Sequence, residues 1–355
     1  MTRMLNGLVL ASIVAFAMAA PAAASTVRFG RIHVMGDSLS DVGNTRALTQ
    51  GAVPVSPPYN PLRFSNGNIW YDHVAAAVRA DGGRARTFAY GNAKAIGDRD
   101  LRPDLLAQRG MLLDQVSARP TDLGVVWMGI NDLLPRVGRD NIRNVAHSAA
   151  DRVFDTAKVL QRNGFNSVML FNMPNLADLP RYAGAGAATR NSARNGSVAY
   201  NDRLSTRIDQ LRGRGMEVVE VDVFGLFGDV FANPSSYGIE NLTTPCIRSG
   251  RDRCTTAQAR VTAFADRIHP SAALHRILAD HVIDLLAPPP ALMALLDGAR
   301  PTSPVVAASA SPVVAAPVPL PAPALLLLGG LGALGLAARR RTNRRTFPSA
   351  SENAM

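Results

Sequence analysis

Between residues 26 and 287 the chain alternates two patterns. Short, mostly apolar runs at Arg31–Met35, Arg86–Tyr90, Leu123–Met128, Ser167–Phe171 and Glu217–Val221 read as strands. Longer stretches with apolar residues every three or four positions read as amphipathic helices: Ile69–Ala80, Asp104–Ala118, Asp140–Asn163, Ser197–Arg212 and Ser271–Leu286. Strands that alternate with helices predict an α/β fold, with a parallel sheet covered on both faces. In such sheets ligands bind outside the carboxyl ends of the strands, so the turn after each strand is where chemistry is expected. No internal repeat interrupts this alternation.

The two ends of the chain follow other patterns. Arg3, the apolar run Leu8–Ala20 and the small residues Ala22-Ala23-Ala24 have the order of a secretory signal peptide over residues 1–24. The folded domain is expected over 25–287. Residues 288–317 are rich in Pro, Ala, Val and Ser, a composition for extended, solvated backbone. Over 318–345, Val318-Pro319-Leu320-Pro321-Ala322 leads into an apolar, Gly-rich stretch and then Arg339-Arg340-Arg341. About 21 uncharged residues precede those arginines, just enough to span a bilayer as a helix, with the basic end cytoplasmic. This order of parts resembles the VPLPA/PEP-type C-terminal sorting signals of exported bacterial proteins. That resemblance implies export, contact with sorting machinery and the membrane, and removal of the tail; residues 346–355 follow it. Gly330, Gly332 and Gly335 match the spacing of a dinucleotide fingerprint, but no strand precedes them and arginines follow, so that reading is rejected.

The net charge of +11 changes this picture little. Without Arg3, the five arginines of 339–345 and Glu352 it falls to +6, spread along the chain with no basic block to track a phosphate backbone. Nucleic-acid binding is therefore not expected. In an oxidising compartment the two cysteines, Cys246 and Cys254, are expected to pair, the alternative being two small buried or free thiols. No His or further Cys lies between them, so a zinc site is not expected.

The strand ends carry Gly36-Asp37-Ser38, Gly91-Asn92-Ala93 and Gly129-Ile130-Asn131-Asp132, and Asp266-Arg267-Ile268-His269-Pro270 precedes the last helix. Each alone is an ordinary turn. Ser38 alone reads as the cap of the next helix. Together they hold the parts of acyl transfer. A serine hydroxyl needs a base to take its proton. His269 can be that base, with Asp266 three residues earlier orienting the ring. The oxyanion of a tetrahedral intermediate needs fixed donors, which the Gly91 N–H, the Asn131 amide and the Ser38 N–H at a helix start can supply. Asp37 and Asp41 are expected to hold backbone N–H groups around the serine rather than a metal, with Asn44 and Asp132 in similar supporting roles and Asn44 as a candidate for the cleft lining. His33, His73, His147, His275 and His281 read as core or surface residues, and Trp70 and Trp127 as packing residues.

With these blocks in view, residues 28 to 287 resemble a GDSL-type esterase/lipase of the SGNH hydrolase superfamily. "GDSLSDVGN", "FAYGNAKA", "GIND" and "DRIHP" stand for its four blocks in order. "RFSNGNIWYDHVA" and "FNMPNLADLP" are similar to the lecithinase/hemolysin and plant-type branch. The resemblance implies Ser38 as nucleophile, Gly91 and Asn131 as oxyanion donors, and Asp266 and His269 as partner and base. It implies a flavodoxin-like, three-layer α/β/α sandwich with a five-stranded sheet, no cofactor, and an ester substrate such as a lipid or phospholipid. Thr87 and Asn92 depart from the family's second block, which often has Asn and a second Gly there. Acyl transfer to an alcohol through the same site is the nearest alternative; a non-catalytic surface protein of the same fold is the other.

Overall fold

Five parallel strands form one sheet: β1 (Arg31–Gly36), β2 (Arg84–Thr87), β3 (Asp122–Trp127), β4 (Ser167–Phe171) and β5 (Glu217–Val221), in the spatial order β2-β1-β3-β4-β5. They belong to a computed structural model that describes residues 28–97, 103–248 and 254–288. The sequence-predicted signal peptide, sorting segment and tail, and all of the linker but Pro288, lie outside these residues.

The helices are α1 (Asn44–Leu48), α2 (Trp70–Ala80), α3 (Leu105–Gln115), α4 (Ile130–Leu133), α5 (Ile142–Arg162), α6 (Ala187–Gly213), α7 (Val223–Ala232), α8 (Thr256–Arg260) and α9 (Ala272–Leu286). Helix α2 packs on α9, whereas α3 and α6 both pack on α5, which gives the two helical layers. This is a flavodoxin-like α/β/α sandwich. The chain moves from β1 out to β2 and returns to β3 on the other side of β1. The carboxyl ends of β1 and β3 therefore flank the switch point, where an open crevice is expected.

The central strands β3 and β4 are buried at every residue, as a sheet covered on both faces requires. Trp70, Trp127 and Phe171 stack into one aromatic cluster, with ring centroids 4.8 to 6.2 Å apart, which seats the start of α2 against the sheet. Helix α6 begins ten residues before the predicted Ser197. Its first three turns lack an apolar stripe, and close approach through Gly196, where a Cβ would lie 2.7 Å from Ile142, replaces bulk there. The ladder of β2 starts two residues earlier than predicted and ends at Thr87, although the N–H groups of Phe88 and Tyr90 still bond to Val34 and Gly36 of β1. His33 is a core residue, buried against Phe165 with Nε2 3.6 Å from Asp122 Oδ2.

Cys246 and Cys254 form a disulfide with Cα atoms 4.7 Å apart. It holds the segment whose Cys246 and Ile247 N–H groups bond to Phe264 and Ala265, just before Asp266. Replacing both cysteines with serine frees a short loop in the unfolded chain and is expected to cost about 2–3 kcal/mol in denaturant unfolding. A loss under about 0.5 kcal/mol would contradict that role.

Candidate active site

The turn that presents His269 is built by its own carboxylate. Asp266 Oδ1 accepts the N–H groups of Ile268 and His269, both at 2.7 Å, and the Ala265 N–H bonds to the His269 carbonyl at 2.8 Å. This leaves Asp266 Oδ2 free to meet the ring, 2.7 Å from His269 Nδ1. A carboxylate only accepts, so Nδ1 carries the proton and Nε2 presents a lone pair. That lone pair faces Ser38 Oγ at 2.8 Å. Serine hydroxyl, imidazole and carboxylate thus lie in one hydrogen-bonded line, drawn from loops 231 residues apart in sequence.

Tyr59, which carries no sequence signal, and Phe64, from the RFSNGNIWYDHVA segment, join them. The Tyr59 hydroxyl donates to Asp266 Oδ2 at 2.5 Å, across 207 residues of sequence. The Phe64 ring lies 5.6 Å from the His269 ring and covers it. Burial pulls the His269 pKa down, but the Asp266 carboxylate beside it, its hydrogen bond and the Asp37 carboxyl outweigh this, and the net shift is upward. Burial works against the Asp266 carboxylate too, yet the imidazolium, the backbone N–H groups and Tyr59 hold it well below the usual carboxylate range. Burial pushes Asp37 up to about 7.

These shifts fix opposite pH trends for activity and stability. The base works only when neutral, so kcat/KM is expected to rise with pH through a midpoint above 6.5. The stabilisation from the raised His269 pKa is complete below 6.5 and lost as pH rises through the folded-state value. That from the lowered Asp266 pKa is complete above 3.8 and lost in stronger acid. The pair therefore stabilises most between about 4 and 6.5, where the base is protonated. A pH–rate profile with its midpoint below 6.5 would contradict this geometry.

Ser38 caps no helix: residues 38–40 form a turn, and α1 begins only at Asn44. This corrects the cap reading and the supposed helix start at the Ser38 N–H. That N–H is nonetheless without a hydrogen-bond partner among the described residues, and Ser38 is 6% exposed. Asp41 serves the helix instead, accepting from Gly43, Asn44 and Thr45 at 2.8–3.1 Å. Asp37 accepts from Leu39 at 3.0 Å. Asn131 donates one amide hydrogen to the Ala93 carbonyl at 3.0 Å, leaving the other free among the described residues. Asp132 accepts from Ala95 and Ile96, locking the loop after β2 to the start of α4. The Asn44 amide is spent on the Thr87 and Ala89 carbonyls, so it ties the loop rather than lining a cleft.

Gly91 differs from expectation. Its N–H points inward, to Thr45 Oγ1 at 2.6 Å and Asp41 Oδ2 at 2.9 Å, and so is not turned to an oxyanion. What requires glycine at 91 is space: a Cβ there would sit 2.4 Å from the Phe64 ring. The next residue, Asn92, is exposed, has φ +65°, and makes no backbone N–H bond among the described residues. Asn tolerates this left-handed conformation better than most residues. It occupies the place where the resembled block has its second glycine.

Beside Ser38 an apolar slot is lined by Leu39, Ile130 and Ile268, chain neighbours of Ser38, Asn131 and His269, with Trp127, Phe227 and Phe231 behind them. The slot is narrow, with about 10 Å³ of free space, and the arrangement beside it can transfer a proton from a serine hydroxyl.

A family profile described as GDSL-like lipase/acylhydrolase matches residues 32–282. The chain belongs to this family. It is 27% identical over 285 residues to a phosphatidylcholine-sterol acyltransferase from Aeromonas hydrophila, covering 76% of this chain and 83% of that protein. It is 23% identical over 282 residues to a thermolabile hemolysin from Vibrio parahaemolyticus, covering 72% of this chain and 64% of that protein. Among solved structures, a carbohydrate acetylesterase from Sinorhizobium meliloti aligns at 18% identity and TM-score 0.39 over 75% of this chain and 99% of its own.

Proposed function

We propose that this GDSL-family chain is an exported serine ester hydrolase that works through a Ser38 acyl-enzyme. The observation that carries this reading is the 2.8 Å approach of Ser38 Oγ to His269 Nε2, with Asp266 behind the ring. His269 takes the Ser38 proton as Oγ attacks the ester carbonyl. His269 then returns that proton to the departing alcohol. Water, activated by the same nitrogen, releases the acid from Ser38 and restores the free hydroxyl. The oxyanion is held by the Ser38 N–H, the free Asn131 amide hydrogen and, in place of Gly91, the N–H of Asn92. Asn131→Ala is expected to lower kcat about a hundred- to a thousandfold with KM little changed. A loss under about threefold would remove Asn131 from this role.

Nitrophenyl esters of increasing acyl length test this reading directly. Activity on some member of that series, absent from Ser38→Ala, is the expected result; no hydrolysis by folded protein would overturn the reading. The named acyltransferase relative favours a second outcome at the same acyl-enzyme, in which an alcohol takes the acyl group instead of water. Product analysis with and without added sterol separates the two. Export rests on residues 1–24 and is supported by the Cys246–Cys254 disulfide. The tail over 318–345 is read as a sorting signal cut after export, which a mass measurement of the mature C-terminus checks.

A further inference from the structure

The loop before α2 is tied to the segment that carries His269 through Ser65, Asn66 and Tyr59. The Ser65 hydroxyl donates to the Pro270 carbonyl at 2.9 Å, Asn66 Oδ1 accepts the Ala272 N–H at 2.8 Å, and the Tyr59 hydroxyl donates to Asp266 Oδ2 at 2.5 Å. Tyr59 is itself braced within the loop. Ser56 Oγ donates to its carbonyl at 2.9 Å, and the N–H of the next residue, Asn60, bonds to the Ser65 carbonyl at 2.8 Å. The phenol is thus presented to the carboxylate by a supported backbone. Asp266 then has no acceptor position to spare. A carboxylate offers about four lone-pair sites. Here they meet the Ile268 and His269 N–H groups, His269 Nδ1 and Tyr59. Burial and the carboxylate beside it push the pKa of the phenol upward, so Tyr59 stays a donor.

Tyr59 and His269 therefore draw on the same oxygen, Oδ2. A hydrogen bond donated to an ionised carboxylate satisfies part of its charge. Less is then left to hold the imidazolium that forms when His269 takes the Ser38 proton. That matters because the same nitrogen must give the proton back to the departing alcohol, and a base that grips it too tightly returns it slowly. We propose that Tyr59 is a positioning residue for this reaction: acting through Asp266, it fixes the carboxylate against the imidazole and takes up part of its charge, so that His269 releases a proton more readily than Asp266 alone would allow. This rests on the ester-hydrolase reading above. Other charged groups also face this pair. Asp37, on the loop after β1, acts on His269 and itself titrates near 7. His275, on α9, is buried and pushed down to about 3, so it stays neutral where the base works. Arg181, Arg248 and Arg267 line the open cleft that Tyr59 and Asp266 also border. A change confined to the Tyr59 hydroxyl leaves all of these in place.

The test titrates the His269 ring by NMR in the full chain and in its Tyr59→Phe variant, which keeps the aromatic ring and removes only the hydroxyl. The ring midpoint is expected to rise by about 0.5–1 pH unit in the variant, and the midpoint of kcat/KM on nitrophenyl esters to rise with it. A site-specific 3-fluorotyrosine at position 59, a stronger donor of nearly the same shape, is expected to move both midpoints down. In an Asp266→Asn background, Tyr59→Phe is expected to leave the ring midpoint unchanged, since no carboxylate charge remains to be shared. Denaturant unfolding shows that each protein compared is folded. A ring midpoint that stays put or moves the opposite way in either Tyr59 protein overturns the role and leaves the hydrolase standing. So does a rise of the same size in the Asp266→Asn background. No turnover of any ester by folded wild type overturns both, since Tyr59 then has no reaction to serve.

Discussion

Ser38→Ala is expected to lower kcat about a million-fold while leaving the protein folded. The size follows from what the hydroxyl does: without Oγ there is no acyl-enzyme, and His269 has no proton to take. Removing the nucleophile leaves only what oxyanion donors and binding give to direct attack by water. The fold should not notice. Ser38 caps no helix, its side chain makes one hydrogen bond among the described residues, to His269, and alanine fits the same turn. Its unfolding midpoint is therefore expected within about 1 kcal/mol of wild type. Retention of even one per cent of ester hydrolysis would place the nucleophile elsewhere.

Asp266→Asn is expected to cost about ten-thousandfold in kcat, by a different route. The amide oxygen can keep accepting the Ile268 and His269 N–H groups that shape the turn. Its NH2 must then stand where Oδ2 stood, facing His269 Nδ1 and Tyr59. An NH2 group donates, so Nδ1 becomes the acceptor and the ring proton moves to Nε2. A protonated Nε2 cannot take the Ser38 proton. The variant also loses the negative charge that raises the His269 pKa, so its residual pH–rate midpoint is expected to fall relative to wild type. Kinetics across pH, with denaturant unfolding to show that the turn survives, check both points. A loss under about tenfold, or an unchanged midpoint, would show that Asp266 does not set the tautomer.

The parts of this site legible in the sequence are those with local causes. The limits of β4 and β5 match the predicted runs residue for residue, although only β4 is buried throughout and β5, at the sheet edge, buries Val219 and Val221 alone. The Asp266–His269 pairing was readable because a turn of three residues brings the two side chains together. The misreadings have distant causes. Gly91 looked like a donor because its N–H partners, Asp41 and Thr45, lie 50 and 46 residues away. Ser38 looked like a cap because nothing local shows that α1 waits for Asn44. Tyr59 sits in a Pro-rich loop and gains meaning only through a contact 207 residues distant. The early start of α6 was hidden because small residues, not an apolar stripe, pack it against α5.

The central claim is that Ser38 is a nucleophile activated by His269. A fluorophosphonate ester tests it without any choice of substrate, because it captures the serine in the act of attack. Incubation of the folded full chain, followed by intact mass and peptide mapping, is expected to show one adduct per chain, on the peptide containing Ser38. The labelling rate should rise with pH through a midpoint above 6.5, and the adduct should be absent from Ser38→Ala. A folded wild-type protein that stays unlabelled, or an adduct that persists in Ser38→Ala, would contradict the claim.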